Sequence, residues 1–356
     1  MMRKSILFLL SLFFATQLCY AQESKTWFQG GDPQPFIEPL VNTKVLPMIK
    51  VSGNKFVDPQ GKTVLFRGIA VSDPDKLEYQ KHWNKAYFEK IKEMGATIVR
   101  IPVHPIAWRN RTPNMYLKLL YEAVDWCTDL DMYVMIDWHT IGNLETEVFQ
   151  DPIYNTTKHE TYEFWRTISK HFADNNTVVF YELFNEPTTY NGKLGQVSWA
   201  DWKKTVETMI GIIRAHDKKT IPLVAGFDWA YDLTPIREEP INAENIGYTT
   251  HPYPDKRSEP WAPKWEEAFG FAAGKYPVFA TEFGDDIQTG IMDLNGNNYG
   301  NQIIGYLEGK GISWTIWLFD PDWGGAKIKN WNYELTPGGD FFKQAMQGKL
   351  PVQKKK

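Results

Sequence analysis

Tyr181-Glu182-Leu183-Phe184-Asn185-Glu186-Pro187 reads as a short apolar strand that stops at Asn-Glu-Pro. Proline has no N–H to give a sheet ladder, so the strand ends there and leaves Glu186 at its carboxyl end. A carboxylate in that position faces either solvent or a working cleft, and for one glutamate alone the solvated loop acid is the commoner case. A second stretch of the same form changes the balance. Tyr276-Pro277-Val278-Phe279-Ala280-Thr281-Glu282-Phe283-Gly284 is another buried-looking strand that ends on a glutamate. Two such strand ends in one α/β chain suggest a carboxylate pair.

Outward from these two strands the chain alternates. Strand-like runs occupy 64–69, 97–103, 133–137, 178–184, 221–225, 246–250, 278–281 and 313–317. Between them lie segments of helical period, such as Trp83, Tyr87, Ile91 and Met94, or Trp199, Trp202, Val206, Met209 and Ile213. The helical signal is weakest between 225 and 246. Eight strands interleaved with helices, and no composition break long enough for a linker, predict a single (β/α)8 TIM barrel over 49–349. An open doubly wound sheet is disfavoured, because no Gly-rich phosphate turn follows the first strand. Ahead of the barrel, the run from Lys50 to Val64 reads as two short strands around an Asp58-Pro59-Gln60-Gly61 turn, an N-terminal β-hairpin.

The ends of the chain read differently. Met1-Met2-Arg3-Lys4, an apolar run from Ile6 to Ala15 and small residues around Ala21 form a secretory signal peptide over 1–21, too short to span a membrane. Leu18 before Cys19 argues against lipid anchoring, so a secreted or periplasmic protein is expected. Residues 22–48 are a polar, proline-bearing lead-in, and 350–356 are a basic tail. Cys127 is left alone in the mature chain, on the apolar face Tyr116, Leu119, Leu120, Ala123, Val124, Cys127 and Leu130, and reads as a core residue. A net charge of −4, with both signs mixed along the chain, provides no cationic field for nucleic acid or anionic lipid. A monomer is expected. Fifteen tryptophans fall partly in loop-like stretches and could stack on sugar rings, although many must fill the core.

A barrel of this kind works at the carboxyl ends of its strands. The polar residues there form a set: Arg100 at the end of the second strand, His139 after the third, Asn185 and Glu186 after the fourth, His251 and Tyr253 after the sixth, Glu282 after the seventh and Trp317 at the eighth. Each alone has a structural explanation, as an ion pair, a satisfied core histidine or a core indole. Together they occupy one rim. The fourth and seventh strands lie three apart around the ring, so inward side chains meet across the mouth. That geometry can bring two carboxyls to about 5 Å, the spacing of a retaining glycosidase. Repulsion and burial then raise one pKa, so that group donates a proton, while the other stays ionised and attacks.

This set, in this order and on these strands, resembles glycoside hydrolase family 5, (β/α)8 retaining glycosidases whose acid and nucleophile follow strands four and seven. The resemblance covers the chain from about Lys50 to Met346. It implies Glu186 as acid/base and Glu282 as nucleophile, with Asn185 bonded to the sugar 2-hydroxyl and Arg100 and Tyr253 holding Glu282 ionised. His139 and His251 would bind hydroxyls or tune the pair, and Trp317 would lie beneath the sugar. One departure is Ala70 in Arg67-Gly68-Ile69-Ala70, where many relatives carry asparagine.

The implied reaction is double displacement on a polysaccharide or oligosaccharide, with no metal or cofactor required. An endo-acting β-1,4-glucanase is the first expectation, and β-mannan, xyloglucan or mixed-linkage glucan the alternative. Candidate sugar platforms are Trp83, Trp108, Trp138, Trp229, Trp261, Trp323 and Trp331. From another class, a non-catalytic carbohydrate-binding barrel is disfavoured because both glutamates are present. A metal-dependent hydrolase is disfavoured because His139 and His251 lack a His-x-His spacing.

Overall fold

Parallel strands β1 (Arg67–Ala70), β2 (Ile98–Val103), β3 (Tyr133–Trp138), β4 (Val178–Glu182), β5 (Ile221–Ala225), β6 (Gly247–Thr250), β7 (Val278–Ala280) and β8 (Ser313–Ile316) pair in chain order and close into a barrel. The seam is β8 on β1, with Trp314 opposite Arg67 and Ile316 opposite Ile69. This computed structural model describes residues 42–189, 192–284 and 299–350. The expected signal peptide, most of the lead-in and the basic end of the tail fall outside the described residues.

The strands are buried on both faces, which is why their sequences are near-continuous apolar runs rather than alternating ones. Gly68 marks one close approach, since a Cβ there would sit 2.1 Å from the Ile98 carbonyl on the neighbouring strand. Helices close most of the crossovers, and several start on a side-chain cap: Asn84 accepts from the Tyr87 amide, Thr157 from Glu160 and Ser198 from Asp201. Two helix indoles reach into the barrel wall. Trp165 donates to the Leu183 carbonyl and Trp202 to that of Ala225, each at 3.0 Å, tying helices Lys158–Phe172 and Trp199–Arg214 to the working ends of β4 and β5. The fifth crossover has no α-helix among the described residues and uses the 3-10 turn Thr234–Arg237 instead. That is the interval where apolar periodicity was weakest.

The hairpin exists, but it turns elsewhere than expected. Lys50–Ser52 pairs with Lys55–Val57 around Gly53-Asn54, because Gly53 takes φ +57°, the left-handed conformation a two-residue turn needs. Asp58-Pro59-Gln60-Gly61 forms a separate turn, in which the Asp58 carboxylate accepts from the Gln60 and Lys62 amides. The hairpin plugs the amino-terminal mouth, with Phe56 packed edge-on against Phe180 at 4.8 Å and beside Phe66 and Phe279. Cys127 is fully buried, as its helical face predicts.

A correction applies to the Glu186 strand. β4 ends at Glu182, and Glu186–Pro187 is a separate two-residue strand on the rim, paired with Ile141–Asn143, which pairs in turn with Val148–Phe149. Proline is tolerated there because the other face of that short strand has no ladder to complete. Glu186 is therefore held by a small sheet of its own above the barrel mouth.

Candidate active site

At the carboxyl ends of the strands a cavity of about 530 Å³ opens, lined by His139, Tyr154, Glu186, Tyr253, Glu282 and Trp317, with Trp229, Trp323 and Lys256 at its edges. All eight rim residues singled out from the sequence belong to one contact network around it. Arg100 is the hub. Fully buried on β2, it donates through Nη1 to Glu282 Oε2 at 2.7 Å, through Nη2 to Asn185 Oδ1 at 2.6 Å, and through Nε to Glu182 Oε2 at 2.6 Å. The same Nη2 stands 2.9 Å from Asp137 Oδ2. Only the planar fork of arginine can serve so many acceptors at once.

Glu282 has a second donor, the Tyr253 hydroxyl at 2.9 Å on Oε1. Glu186 instead faces His251, whose Nδ1 lies 3.0 Å from Glu186 Oε1, while Nε2 lies 3.2 Å from Glu182 Oε1 and 3.0 Å from Thr281 Oγ1. Across the mouth, atoms of Glu186, His251 and Glu282 all lie within 4.8 Å of one another. His139 stacks nearly parallel on Trp317, with centroids 5.4 Å apart and an angle of 3° between the ring planes, and its Nδ1 meets Asp137 Oδ2 at 2.7 Å.

These contacts divide the charge unevenly. Burial alone would raise Glu182, but Arg100 and His251 outweigh it and hold the carboxyl down at about 2. Burial would lower His251, yet hydrogen bonds to Glu182 and Glu186 push it up to about 9. His139 goes the other way, kept well below the usual range by burial and by His104 and Arg100, and is neutral. Glu282 departs from the expectation that Arg100 and Tyr253 hold it down. Burial, with the nearby Glu186, pushes it above the ordinary range against the pull of Arg100, His251 and Tyr253. The physical reason is desolvation, and the part due to Glu186 vanishes once Glu186 carries a proton.

The trio Glu186, His251 and Glu282 has the spacing of metal ligands, but its donor chemistry does not suit an ion. A doubly protonated imidazole has no lone pair to give, and both Glu282 oxygens already accept from Arg100 and Tyr253. The arrangement fits shared protons.

Sequence reasoning missed Glu182, Asp137, Thr281 and Tyr154. Glu182 and Asp137 sit inside apolar strands, and a charge in such a run was itself the signal, since a buried carboxylate needs a partner. Of the seven candidate platforms, only Trp229 and Trp323 line the cavity. Trp83, Trp108 and Trp138 are core, while Trp261 and Trp331 are half-buried away from it, Trp331 stacked on His82. Ala70 is buried, and the loop after β1 instead turns Ser72, Asp73 and Lys76 toward a narrow extension of the cleft beside Trp317 and Trp323.

Comparison with known proteins agrees with this fold. The model of the family Cellulase (glycosyl hydrolase family 5) matches residues 57–322. Endoglucanase E-5 of Thermobifida fusca is 26% identical over 302 residues, covering 82% of this chain and 60% of that protein. An endoglucanase of Clostridium saccharobutylicum is 26% identical over 323 residues, covering 84% and 65%. The chain thus spans somewhat under two thirds of the length of these relatives. A β-glucanase of Saccharophagus degradans, solved alone and with cellotetraose, superposes with a TM-score of 0.83 at 42% identity, covering 91% of this chain and 99% of that one. With its strand-end glutamates, closed barrel and matched family model, this chain belongs to glycosyl hydrolase family 5.

Proposed function

We propose that the protein is a retaining glycosidase that cleaves internal β-1,4 bonds of a glucan, an endo-β-1,4-glucanase acting after export from the cytoplasm. The observation that carries this reading is the Glu186–Glu282 pair, with oxygens within 4.8 Å of each other across a cleft edged by tryptophans. That spacing suits direct attack and leaves too little room for the intervening water of an inverting enzyme.

In the first step Glu282 attacks the anomeric carbon while Glu186 gives its proton to the departing glycosidic oxygen, so one C–O bond forms as the other breaks. Once Glu186 carries the proton it is to donate, its repulsion on Glu282 is absent, and Arg100 and Tyr253 favour the anion that attacks. In the second step Glu186 takes a proton from water, whose oxygen displaces Glu282 and frees the sugar. Asn185 Nδ2, which is buried and has no acceptor among the described residues, would donate to the sugar 2-hydroxyl. Trp317, held by its stack on neutral His139, would form the floor under the sugar being cleaved.

Trp229 belongs to the Glu186 side of the cleft, since its amide donates to the Pro187 carbonyl at 3.1 Å. It would therefore stack on the sugar of the leaving group. Trp323 lies beside Trp317 at the other end. Indoles that would stack sugars on both sides of the scissile bond favour internal cleavage. A second reading, mixed-linkage β-glucan as the preferred polymer, is favoured by the broader name, β-glucanase, of the relative at 42% identity. The test is direct: protein dialysed against chelator should release reducing ends from carboxymethylcellulose or mixed-linkage glucan. If no β-glucan or β-mannan yields any, a carbohydrate-binding barrel replaces the enzyme.

A further inference from the structure

Glu182 takes no part in the bond changes above, yet among the described residues it is the one carboxylate that touches the partners of both reacting glutamates. It is fully buried at the end of β4. Its Oε2 accepts from Arg100, which holds Glu282, and its Oε1 faces His251, which holds Glu186. Thr281 donates to the same Oε1 at 2.7 Å and fixes the carboxylate plane.

The geometry points to Glu182 as a positioning residue that keeps a proton on the His251–Glu186 pair and aims the imidazole at Glu186. The argument is electrostatic. His251 lies between two carboxylates, one on each ring nitrogen, so it is favoured in the doubly protonated form. Glu186 must exchange its proton twice per turnover, so it cannot anchor that charge. Glu182 is held anionic by Arg100 and never meets the cleft, so it can. The other groups facing the imidazole act in known directions: Glu282 supports its charge, whereas Arg100 opposes it, as His139 would if charged, and Asp137 is pushed well above the carboxylate range by burial. Removing a fixed negative charge lowers the proton affinity of every group around it, so the pair loses its last proton at lower pH.

The kinetic consequence rests on the glycosidase reading, and the titration does not. The test is Glu182→Gln, with Glu182→Asp as the charge-conserving control. Two quantities are read on the intact protein: the pH profile of kcat/KM on a cello-oligosaccharide, and the His251 midpoint by imidazole NMR, assigned with His251→Asn among the seven histidines. Glu182→Gln should move the alkaline limb and the His251 midpoint down by about one pH unit or more, and Glu182→Asp should restore most of both. A uniform loss of rate with neither quantity moved would overturn the inference, because a merely structural residue behaves that way. If wild type has no glycosidase activity but the midpoint still falls in Glu182→Gln, the function is wrong and the proton-holding role stands. Should Glu182→Gln not fold, the wild-type midpoint decides: near 9 supports the role, and one at or below the ordinary histidine value of about 6.5 contradicts it.

Discussion

Arg100 Nη1 stands 2.7 Å from Glu282 Oε2 with the guanidinium fully buried, so the carboxylate proposed as nucleophile is ion-paired without water around its partner. The same cation meets Glu182 and Asp137. Removing it strands several buried acids at once. Arg100→Met should therefore lower unfolding free energy by about 3–5 kcal/mol, read by urea denaturation at neutral pH. Arg100→Lys keeps the charge but loses the fork, and should cost about 100-fold in kcat. A stability change below about 1 kcal/mol in Arg100→Met would contradict the hub role.

Tyr253 lowers the proton affinity of Glu282 through the 2.9 Å hydrogen bond from its hydroxyl. The sign follows: without that donor the carboxyl binds its proton more tightly, so attack fails at a higher pH. In Tyr253→Phe the acid limb of kcat/KM should move up by about one pH unit, with about a tenfold lower rate at its optimum. A limb that moves down, or stays in place, would sever the link between this hydroxyl and Glu282.

Trp229 and Trp317 should separate by substrate. Trp229→Ala removes stacking on the leaving side only, so KM for cello-oligosaccharides should rise about tenfold, a loss of about 1.4 kcal/mol, while turnover of an aryl cellobioside changes little. Trp317→Ala removes the floor under the reacting sugar and should depress both. Equal losses on both substrates for Trp229→Ala would move that indole away from the leaving group.

Asp75 makes a stability prediction away from the cleft. It is fully buried, with Oδ1 2.6 Å from Arg111 Nε and Oδ2 lacking a partner among the described residues, and burial with Asp73 pushes it up to about 7 against Arg111. A carboxyl raised in the folded state contributes stability at low pH, and the contribution is lost as pH climbs from about 4 through 7. Asp75→Asn should flatten that decline, with up to about 4 kcal/mol at stake by pH 8. Thermal melts of both proteins from pH 4 to 8 check it. A wild-type melting temperature no more pH-dependent than that of the variant would count against the burial argument.

The barrel was legible because its strands are apolar on both faces and its helices keep a clean stripe. The one crossover with a faint stripe, 225–246, carries a 3-10 turn rather than an α-helix. The glutamate pair was legible because Pro187 and Gly284 punctuate the strand ends. The rim sheet that carries Glu186 was not, since two-residue strands leave no periodicity to read. Glu182 and Asp137 were overlooked because both were counted as parts of apolar runs, where a charge matters only through partners far off in the chain. The tryptophans illustrate the same limit: Trp138 closes β3 and is buried in the core, whereas Trp323, in the loop after β8, lines the cleft, and the sequence around each does not say which way the indole faces.

Two carboxylates acting in turn on one anomeric carbon make a stereochemical statement. Proton NMR of the first minutes of cello-oligosaccharide hydrolysis, before mutarotation, reads the configuration of the newly freed reducing end. Double displacement by Glu282 and Glu186 predicts that the β-anomer appears first. Initial release of the α-anomer would mean a single inversion by water and would contradict the roles proposed for both glutamates.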